Sequence, residues 1–336
     1  MKNLLYLGNK LSETGKTETT IETLSNSLRL EGYTVFVSSD KKNKVLRLFD
    51  MLFSVVKYSK KVDYVLIDTY STSNFYYAYL SSQLCRFLNL KYIPILHGGN
   101  LPNRLKTSPM LSKALFNYAF INVAPSEYMK VEFEKQGFYN SICIPNSIKI
   151  INYPFKKRNF ETLKLLWVRS FSEIYNPLLA VKILKALLDE NIPASLCMVG
   201  PENDGSLQKT KEYAKTLGVE VTFTGKLSKA DWITLSEDYT IFINTTNFDN
   251  MPVSVIEAMA LGLPVISTNV GGLPLLIDDE KEGFLVNSNS ENEFIEAIKK
   301  IQSHPENMHK MTLNARKKVE NYDWNVVKKL WISLLQ

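Results

Sequence analysis

Short runs of apolar residues alternate with longer mixed segments along the whole chain. The apolar runs predict buried strands of a parallel sheet, and the mixed segments predict helices that cover it. In the first half, strands are predicted at residues 4–7, 34–37, 65–67, 92–96, 120–123 and 142–144, with helices such as 18–30 and 75–88 between them. The pattern restarts after a polar stretch, with strands predicted at 163–168, 194–199, 219–223, 241–243, 264–267 and 283–286. The repetition predicts an α/β fold made of two Rossmann-like, doubly wound domains.

The length agrees with two domains, because 336 residues are too many for one ordinary core. We place the first domain at residues 1–152, the second at 153–322, and a last amphipathic helix at 323–336. Ligands of open α/β sheets bind at the carboxyl ends of the strands. The chemistry is therefore expected in a central cleft that the two domains face.

Composition narrows the class of protein. Hydrophobic residues make up 45% of the chain, and no apolar run approaches the roughly 20 residues that span a bilayer. The apolar run at the start is brief and predicts a strand, not a secretory signal. Three scattered cysteines lack the spacing of metal ligands and favour a reducing compartment, so the cytoplasm is the expected location.

Charge is unevenly divided along the chain. Residues 1–150 hold 19 Lys and Arg against 11 Asp and Glu, whereas the remainder holds 21 against 23. The first half is therefore the half expected to meet an anionic surface or substrate, although no nucleic-acid partner is expected. Its segment 41–61 predicts a basic amphipathic helix that covers the sheet and whose ends could touch anionic lipid at the inner face of the membrane.

The segment 247–272 carries the strongest chemical signal. Asp249 and Glu257 stand eight residues apart around the predicted start of a helix. A helix start offers unpaired N–H groups and a partial positive charge, which suit a diphosphate, while a carboxylate on each side can hold sugar hydroxyls. The turn and the helix start are formed by Met251, Pro252 and Val253. The combination suggests a nucleotide-sugar site, and the alternative is a packing unit whose acids cap the helix.

This segment resembles the signature of the retaining glycosyltransferases of family 4, which have the GT-B fold. Their motif is Glu, seven residues, Glu, then Ala-Met-Ala/Ser-x-Gly-x-Pro-Val-Ile and a Gly-Gly pair. Here Glu257 opens an intact second half, and Asp249 replaces the first Glu. The resemblance implies that Glu257 holds the ribose of a UDP- or GDP-linked donor, that Asp249 holds the transferred sugar, and that amides within 251–255 hold the diphosphate.

Residues at three further strand ends extend the resemblance. In the family, an Arg followed by a Lys holds the diphosphate; Arg169 matches, but Tyr175 stands at the Lys position, so one fixed positive charge is missing. The alternative for Arg169 is a surface ion pair. Gly200 matches a glycine turn near the base, or is an ordinary close-packing glycine. His97 is a candidate catalytic residue that could act at the reacting centre, because only His titrates near neutral pH unperturbed. In related enzymes a His after this strand lies near the transferred sugar, and the alternative is a His that hydrogen-bonds the turn.

The loop after the first strand contains Gly15, Lys16 and Thr17, which is similar to a P-loop. That motif requires a glycine at position 10, where Lys10 stands, although Asp68 could serve as the acidic strand-end residue. We therefore prefer a loop that approaches the donor phosphate or the acceptor, with Gly15 and Lys16 as candidate contacts. A P-loop-like nucleotide hydrolase or kinase remains an alternative, as does a catalytically silent module that binds nucleotide-sugars.

The sequence contains no Asp-x-Asp triplet, the pair with which metal-dependent transferases hold a divalent ion. The leaving group would then be neutralised by Arg169 and a helix N-terminus, without metal or other cofactor. The prediction is a retaining glycosyltransferase that moves a sugar from a nucleotide-sugar to a glycan or lipid-linked acceptor. Its pathway would be cell-surface polysaccharide or glycolipid synthesis, with peripheral membrane contact.

Overall fold

The computed structural model describes residues 2–10 and 19–336. It divides into two compact units, one formed by Met1–Asn146 with Trp324–Gln336 and the other by Ser147–Asp323. The boundaries derived from the sequence fall after residues 152 and 322. Gly15 and Lys16 lie outside the described residues, so their predicted contacts stay predictions.

The first unit is built on a six-stranded parallel sheet with the strand order β2-β1-β3-β4-β5-β6. Its strands are β1 Asn3–Leu7, β2 Thr34–Ser38, β3 Tyr64–Thr69, β4 Lys91–Leu96, β5 Asn122–Ala124 and β6 Ser141–Cys143. Its helices up to residue 146 are α1 Thr20–Leu30, α2 Lys44–Tyr58, α3 Phe75–Phe87, α4 Leu101–Thr107, α5 Pro109–Phe116 and α6 Glu127–Lys135. Every residue of β3 is buried, as expected for a central strand covered on both faces.

The second unit repeats this architecture with the strand order β12-β11-β10-β7-β8-β9. Its strands are β7 Leu163–Val168, β8 Ala194–Val199, β9 Thr222–Gly225, β10 Ile241–Asn244, β11 Val265–Thr268 and β12 Phe284–Val286. Its helices are α7 Pro177–Asp189, α8 Ser206–Thr216, α9 Lys229–Ser236, α10 Val253–Ala260, α11 Leu273–Leu276, α12 Glu291–Ser303 and α13 Pro305–Val319. The paired strands of both sheets are parallel, so the predicted fold of two Rossmann-like α/β domains is confirmed.

The last helix, α14 (Trp324–Leu334), belongs to the first unit. Its buried residues Trp324, Val327 and Trp331 join the apolar cluster that contains Leu4 and Tyr6 of β1. The indole N–H of Trp324 also donates to a carboxylate oxygen of Glu31 at 3.0 Å, and Lys328 pairs with the same oxygen at 3.1 Å. The first sheet is therefore covered on one face by a helix from the other end of the chain.

Helix α2 corrects the prediction for the segment 41–61. The residues that it buries against the unit are Arg47, Met51, Ser54 and Val55. Helical spacing in the sequence predicts a different apolar face, formed by Val45, Leu48, Phe49, Leu52 and Val56. Five large apolar side chains instead form an exposed outer face of α2, between 54% and 64% accessible: Val45, Leu46, Phe49, Phe53 and Val56. The helix thus turns aromatic and aliphatic groups to solvent.

Each sheet has one point at which the chain reverses its direction of winding. In the first unit the chain runs from β1 to β2 on one side and returns to β3 on the other. In the second unit it runs from β7 through β8 to β9 and returns to β10 on the other side of β7. The two helix layers diverge at such a point and leave a crevice at the carboxyl ends of the strands, where ligands of open α/β sheets bind.

Candidate functional site

Arg169 and Asp249 meet at the switch point of the second sheet, which is the place between β7 and β10 where the chain reverses its direction of winding. Arg169 directly follows β7, and Asp249 lies in the loop after β10. The guanidinium forms an ion pair with the Asp249 carboxylate and lies 4.0 Å from the ring centroid of Tyr175, a cation–π contact. The two charged side chains are only 13% and 15% exposed. The structure therefore brings three of the predicted site residues into one cluster.

The guanidinium keeps an unused donor. Its Nε is buried and has no hydrogen-bond partner among the described residues. A buried donor without an acceptor costs free energy, about 1–3 kcal/mol in typical cases. The Arg169 ion pair is thus largely buried, and its Nε is a donor that an anion with several oxygens could use.

Gly200 supports Arg169 from the neighbouring strand. Its φ of +153° suits glycine, and a Cβ there would overlap the carbonyl oxygen of Arg169. The Arg169 N–H donates to the carbonyl of Val199 at 3.0 Å, and the Gly200 N–H donates to that of Gly225 at 2.9 Å. Gly200 is thus required for close packing at this strand end, while its predicted role near the base stays a prediction.

A pair of glycines holds the Asp249 loop in place. A Cβ at Gly271 would overlap the carbonyl oxygen of Asp249, and one at Gly272 would overlap that of Asn250. The N–H of Gly272 donates to the Asp249 carbonyl at 3.0 Å. The Gly-Gly pair of the sequence motif is therefore explained by backbone contact with the loop that carries the carboxylate.

Helix α10 begins immediately after this loop. Pro252 is its N-cap and Val253 its first residue, and no side chain caps its first turn. The hydroxyl of Ser254 in that turn is buried and has no hydrogen-bond partner among the described residues. Met251, by contrast, buries its side chain in the apolar core of the unit. The helix start therefore offers N–H and O–H donors, as the sequence predicts for a diphosphate site.

Glu257 lies in a separate hydrogen-bond network. Its Oε1 accepts a hydrogen bond from the hydroxyl of Tyr153 at 2.7 Å and forms an ion pair with Lys229. The carboxylate is 2% exposed, and within residues 19–336 no hydrogen bond or ion pair joins it to Arg169. Sequence reasoning missed Tyr153 and Lys229, because nothing in their local patterns marks them as partners of a residue so distant in the chain.

His97 belongs to the first unit, where it directly follows β4. Its Nε2 lies 2.8 Å from Oδ1 of Asp68, which also accepts a hydrogen bond from the Tyr6 hydroxyl at 2.8 Å. The ring of Tyr70 lies beside the imidazole, with centroids 5.2 Å apart. The imidazole is thus held by a buried carboxylate and not by the turn. Burial, followed by the charge of Asp68, raises the pKa of both tyrosine hydroxyls.

The structure of residues 2–10 and 19–336 also bears on metal ligands, membrane spans and thiol chemistry. These ranges contain no group of three or more His, Cys, Asp or Glu side chains that could hold a metal ion. They also contain no helix long and apolar enough to cross a membrane. Burial raises the pKa of the Cys85 and Cys143 thiols to about 12, so neither would supply a thiolate near neutral pH.

Comparisons with known proteins place this geometry in context. The family model described as "Glycosyl transferases group 1" matches residues 151–318. The chain is 28% identical over 151 residues to sulfoquinovosyl transferase SQD2 of Arabidopsis thaliana, covering 43% of this chain and 28% of that protein. It is 27% identical over 184 residues to the Escherichia coli UDP-Gal:alpha-D-GlcNAc-diphosphoundecaprenol alpha-1,3-galactosyltransferase, covering 52% of this chain and 44% of that protein. The matches thus span less than half the length of these relatives.

Solved structures extend the likeness to the whole chain. Anabaena HepE in complex with UDP-glucose aligns with a TM-score of 0.82 and 14% identity, covering 100% of this chain and 99% of that chain. At this identity the likeness establishes the fold alone. The predicted GT-B fold is therefore confirmed.

Proposed function

The chain belongs to the glycosyl transferases group 1, and from that membership we propose that it is a retaining, metal-independent glycosyltransferase of family 4. It transfers a sugar from a UDP- or GDP-linked donor to a glycan or lipid-linked acceptor in the synthesis of a cell-surface polysaccharide or glycolipid. The observation that carries the proposal is the Arg169–Asp249 pair at the switch point of the second sheet, next to the uncapped start of α10.

The proposed roles follow from the chemistry of each group. In this structure Arg169 and Asp249 neutralise each other. A bound donor gives each of the two residues a new partner. Its diphosphate supplies acceptors for the guanidinium, and its sugar hydroxyls supply donors for the carboxylate. Arg169 and the start of α10 then hold the charge that grows on the leaving diphosphate as the glycosidic bond breaks.

No residue of the cluster is placed as a nucleophile, since Asp249 is engaged by Arg169 and stands at the sugar-binding position of the family motif. Front-face displacement fits this arrangement, with the leaving phosphate taking the proton of the acceptor hydroxyl. The anomeric configuration of the first product formed, read by proton NMR, tests the retention of configuration that front-face displacement requires. An inverted product would contradict it.

Nucleotide binding tests the proposed function directly. We expect UDP or GDP to raise the melting temperature of the protein equally in EDTA and in magnesium, because the diphosphate is held by Arg169 and by backbone N–H groups. At a concentration 100 times the Kd, such a ligand adds about 2.7 kcal/mol to the free energy of unfolding. A matched scan with ATP and magnesium supplies the control. Stabilisation by ATP alone, or by UDP only when a metal is present, would contradict the proposed site.

The outer face of α2 supports a membrane-linked acceptor. Its exposed apolar side chains are flanked by exposed lysines, a combination that suits the surface of an anionic bilayer. The lysines concerned are Lys41, Lys42, Lys44, Lys57, Lys60 and Lys61. The Escherichia coli relative is named for an acceptor on diphosphoundecaprenol, so an acceptor presented at a lipid surface is compatible with the family.

Vesicle binding is expected to depend on both components of this face. The double substitution Phe49→Ser and Phe53→Ser should reduce sedimentation with anionic vesicles at least tenfold. Each phenylalanine that becomes buried in the bilayer contributes about 1.5–3 kcal/mol to binding. Added salt should weaken the remaining binding, since exposed charges are screened over about 8 Å at physiological ionic strength. Leu313→Ser, an exposed position in the second unit, serves as the control. Equal sedimentation of the original protein with neutral and anionic vesicles would refute the electrostatic part.

A further inference from the structure

Lys229 pairs with Glu257 near the edge of the sheet at which Arg169 pairs with Asp249. Helix α9 follows β9 and begins at Lys229, and α10 follows β10. Because the paired strands of this sheet are parallel, both helices begin at its carboxyl edge, where Arg169 follows β7. The two cations therefore stand at the same edge of the second sheet.

The members of the Lys229 pair differ in their access to solvent. The Glu257 side chain is 2% exposed, whereas the Lys229 side chain is 49% exposed. Lys229 is also the first residue of α9, and the helix dipole disfavours a cation in the first turn of a helix. The lysine is thus held at this place by Glu257, with an ammonium that a ligand at the carboxyl edge can meet.

The ammonium of Lys229 lies near the open start of α10. Glu257 comes four residues after Val253, the first residue of that helix, which is about 6 Å along the helix axis. Side chains of a helix lean towards its N-terminus, so the carboxylate and its ammonium partner lie on that side of Glu257. The four-carbon stem of lysine is flexible. The ammonium can therefore turn towards the helix start while its backbone stays in place.

Glu257 keeps a second partner when Lys229 turns away. The hydroxyl of Tyr153 donates to the same Oε1 at 2.7 Å. Tyr153 is itself fixed, because Arg316 donates to its carbonyl at 2.6 Å and to the carbonyl of Ala260 in α10 at 2.7 Å. A buried carboxylate is costly when it loses every donor. With Tyr153 held against α10, the carboxylate is not left in that state.

The proposed diphosphate site has one fixed cation and is short of a second. Arg169 supplies a guanidinium, which lies over the ring of Tyr175. Tyr175 stands where the family motif has a lysine, and a phenol brings no positive charge. A nucleoside diphosphate carries more than one negative charge, so a further cation would strengthen its binding.

We propose that Lys229 is a second cation of the nucleotide site, whose ammonium leaves Glu257 and pairs with the diphosphate of a bound donor. This deepens the proposed function and rests on it, because that function assigns the diphosphate to Arg169 and the start of α10. The exchange moves ionic and hydrogen bonds only. The competing role for Lys229 is a structural one, in which it does no more than neutralise Glu257.

Lys229→Gln separates the two roles, because the amide can still donate to Glu257 but carries no charge. UDP or GDP, whichever binds, is titrated by calorimetry in EDTA, and its parent nucleoside by saturation-transfer NMR. We expect Lys229→Gln to weaken diphosphate binding at least fivefold and to leave nucleoside binding within twofold. Lys229→Arg keeps the charge and should stay within threefold for both ligands. Melting temperatures verify that each variant is folded.

Lys299→Gln is the matched control. Lys299 is an exposed lysine of the same unit that pairs with Glu190. Glu190 ends α7 just before β8 begins, so this pair lies at the opposite edge of the sheet. Both affinities should stay within twofold of the original protein.

The outcomes distinguish a failure of this role from a failure of the proposed function. If the original protein binds UDP or GDP and Lys229→Gln binds it equally well, or loses nucleoside binding to the same extent, Lys229 is only the structural partner of Glu257. If the original protein binds neither nucleotide, the proposed function fails and the role of Lys229 fails with it.

Discussion

Arg169→Ala is expected to cost the protein most of its nucleotide affinity and nearly all of its turnover. The guanidinium is the cation of the cluster that it forms with Asp249 and Tyr175, and its buried Nε has no hydrogen-bond partner among the described residues. Losing its charge-assisted bonds to a diphosphate costs roughly 1.5–3 kcal/mol, which is about 10- to 150-fold in Kd. Turnover should fall further, by about 10²–10³-fold, because the leaving group gains charge in the transition state. Calorimetry with UDP and a donor-turnover assay measure the two effects.

Two further variants sharpen this result. Arg169→Lys keeps the charge but loses the planar fork and its contact with Tyr175, so an intermediate loss is expected. Lys209→Ala removes an exposed lysine that pairs with Glu173 in the same unit, and should leave both measurements unchanged. A folded Arg169→Ala protein with the nucleotide affinity and turnover of the original would refute the phosphate role.

Asp249→Asn is expected to separate transfer from nucleotide affinity. The amide keeps the size of the side chain but cannot pair with Arg169 as an ion or accept as strongly from sugar hydroxyls. Transfer should fall by about 10²-fold, the scale for one lost polar contact to the reacting group. UDP affinity should stay the same or increase, because Arg169 no longer has to exchange a carboxylate for the diphosphate.

The role of Asp249 is tested by comparing the affinity of the protein for UDP with its affinity for the UDP-sugar. In the unmodified protein the sugar should add affinity, and in Asp249→Asn that added affinity should disappear. Asp249→Glu, which restores the carboxylate length of the family motif, is the matched variant and should retain sugar-dependent binding. If Asp249→Asn loses UDP affinity as strongly as Arg169→Ala does, the carboxylate serves the nucleotide and the assignment to the sugar is wrong.

Much of the fold could be predicted because each strand of a buried parallel sheet is marked by a short local run of apolar residues. The β7 run from Leu163 to Val168 and the β8 run from Ala194 to Val199 match their predicted limits. At the less buried edges the match is poorer. Phe120 was expected in a strand, but β5 begins at Asn122 and Phe120 is exposed. There, one aromatic residue beside an apolar run does not reveal whether it faces the core.

The orientation of α2 could not be predicted for a different reason. Apolar residues occur almost all round this helix, so helical spacing fits more than one face. Tertiary packing selects the side with Met51 and Val55, and Arg47 reaches the carbonyls of Lys41 and Lys42 from that same side. Periodicity reports a face only when the opposite side of the helix is polar.

Some contacts of the candidate site could be predicted from the sequence, and others could not. The meeting of Arg169 with Asp249 follows from sheet topology, since each residue comes after a strand next to the switch point, and the sequence could indicate it. The partners of Glu257 could not be indicated, because Tyr153 and Lys229 come from a connecting segment and from the first turn of α9. The sequence marks Asp68 only as a candidate acidic strand-end residue of a P-loop. Its contact with His97 follows from the register of β3 beside β4, which the sequence does not specify.

The position of α14 has a consequence for how the chain acquires its structure during synthesis. The second unit is a continuous segment, Ser147–Asp323, and all of its residues leave the ribosome before α14 does. The first unit is discontinuous, and the apolar face of β1 is covered by Trp324 and Trp331 only after those residues have been made. The core of the first unit therefore cannot be completed until α14 has been made, and Leu4 and Tyr6 lack that part of their packing until then.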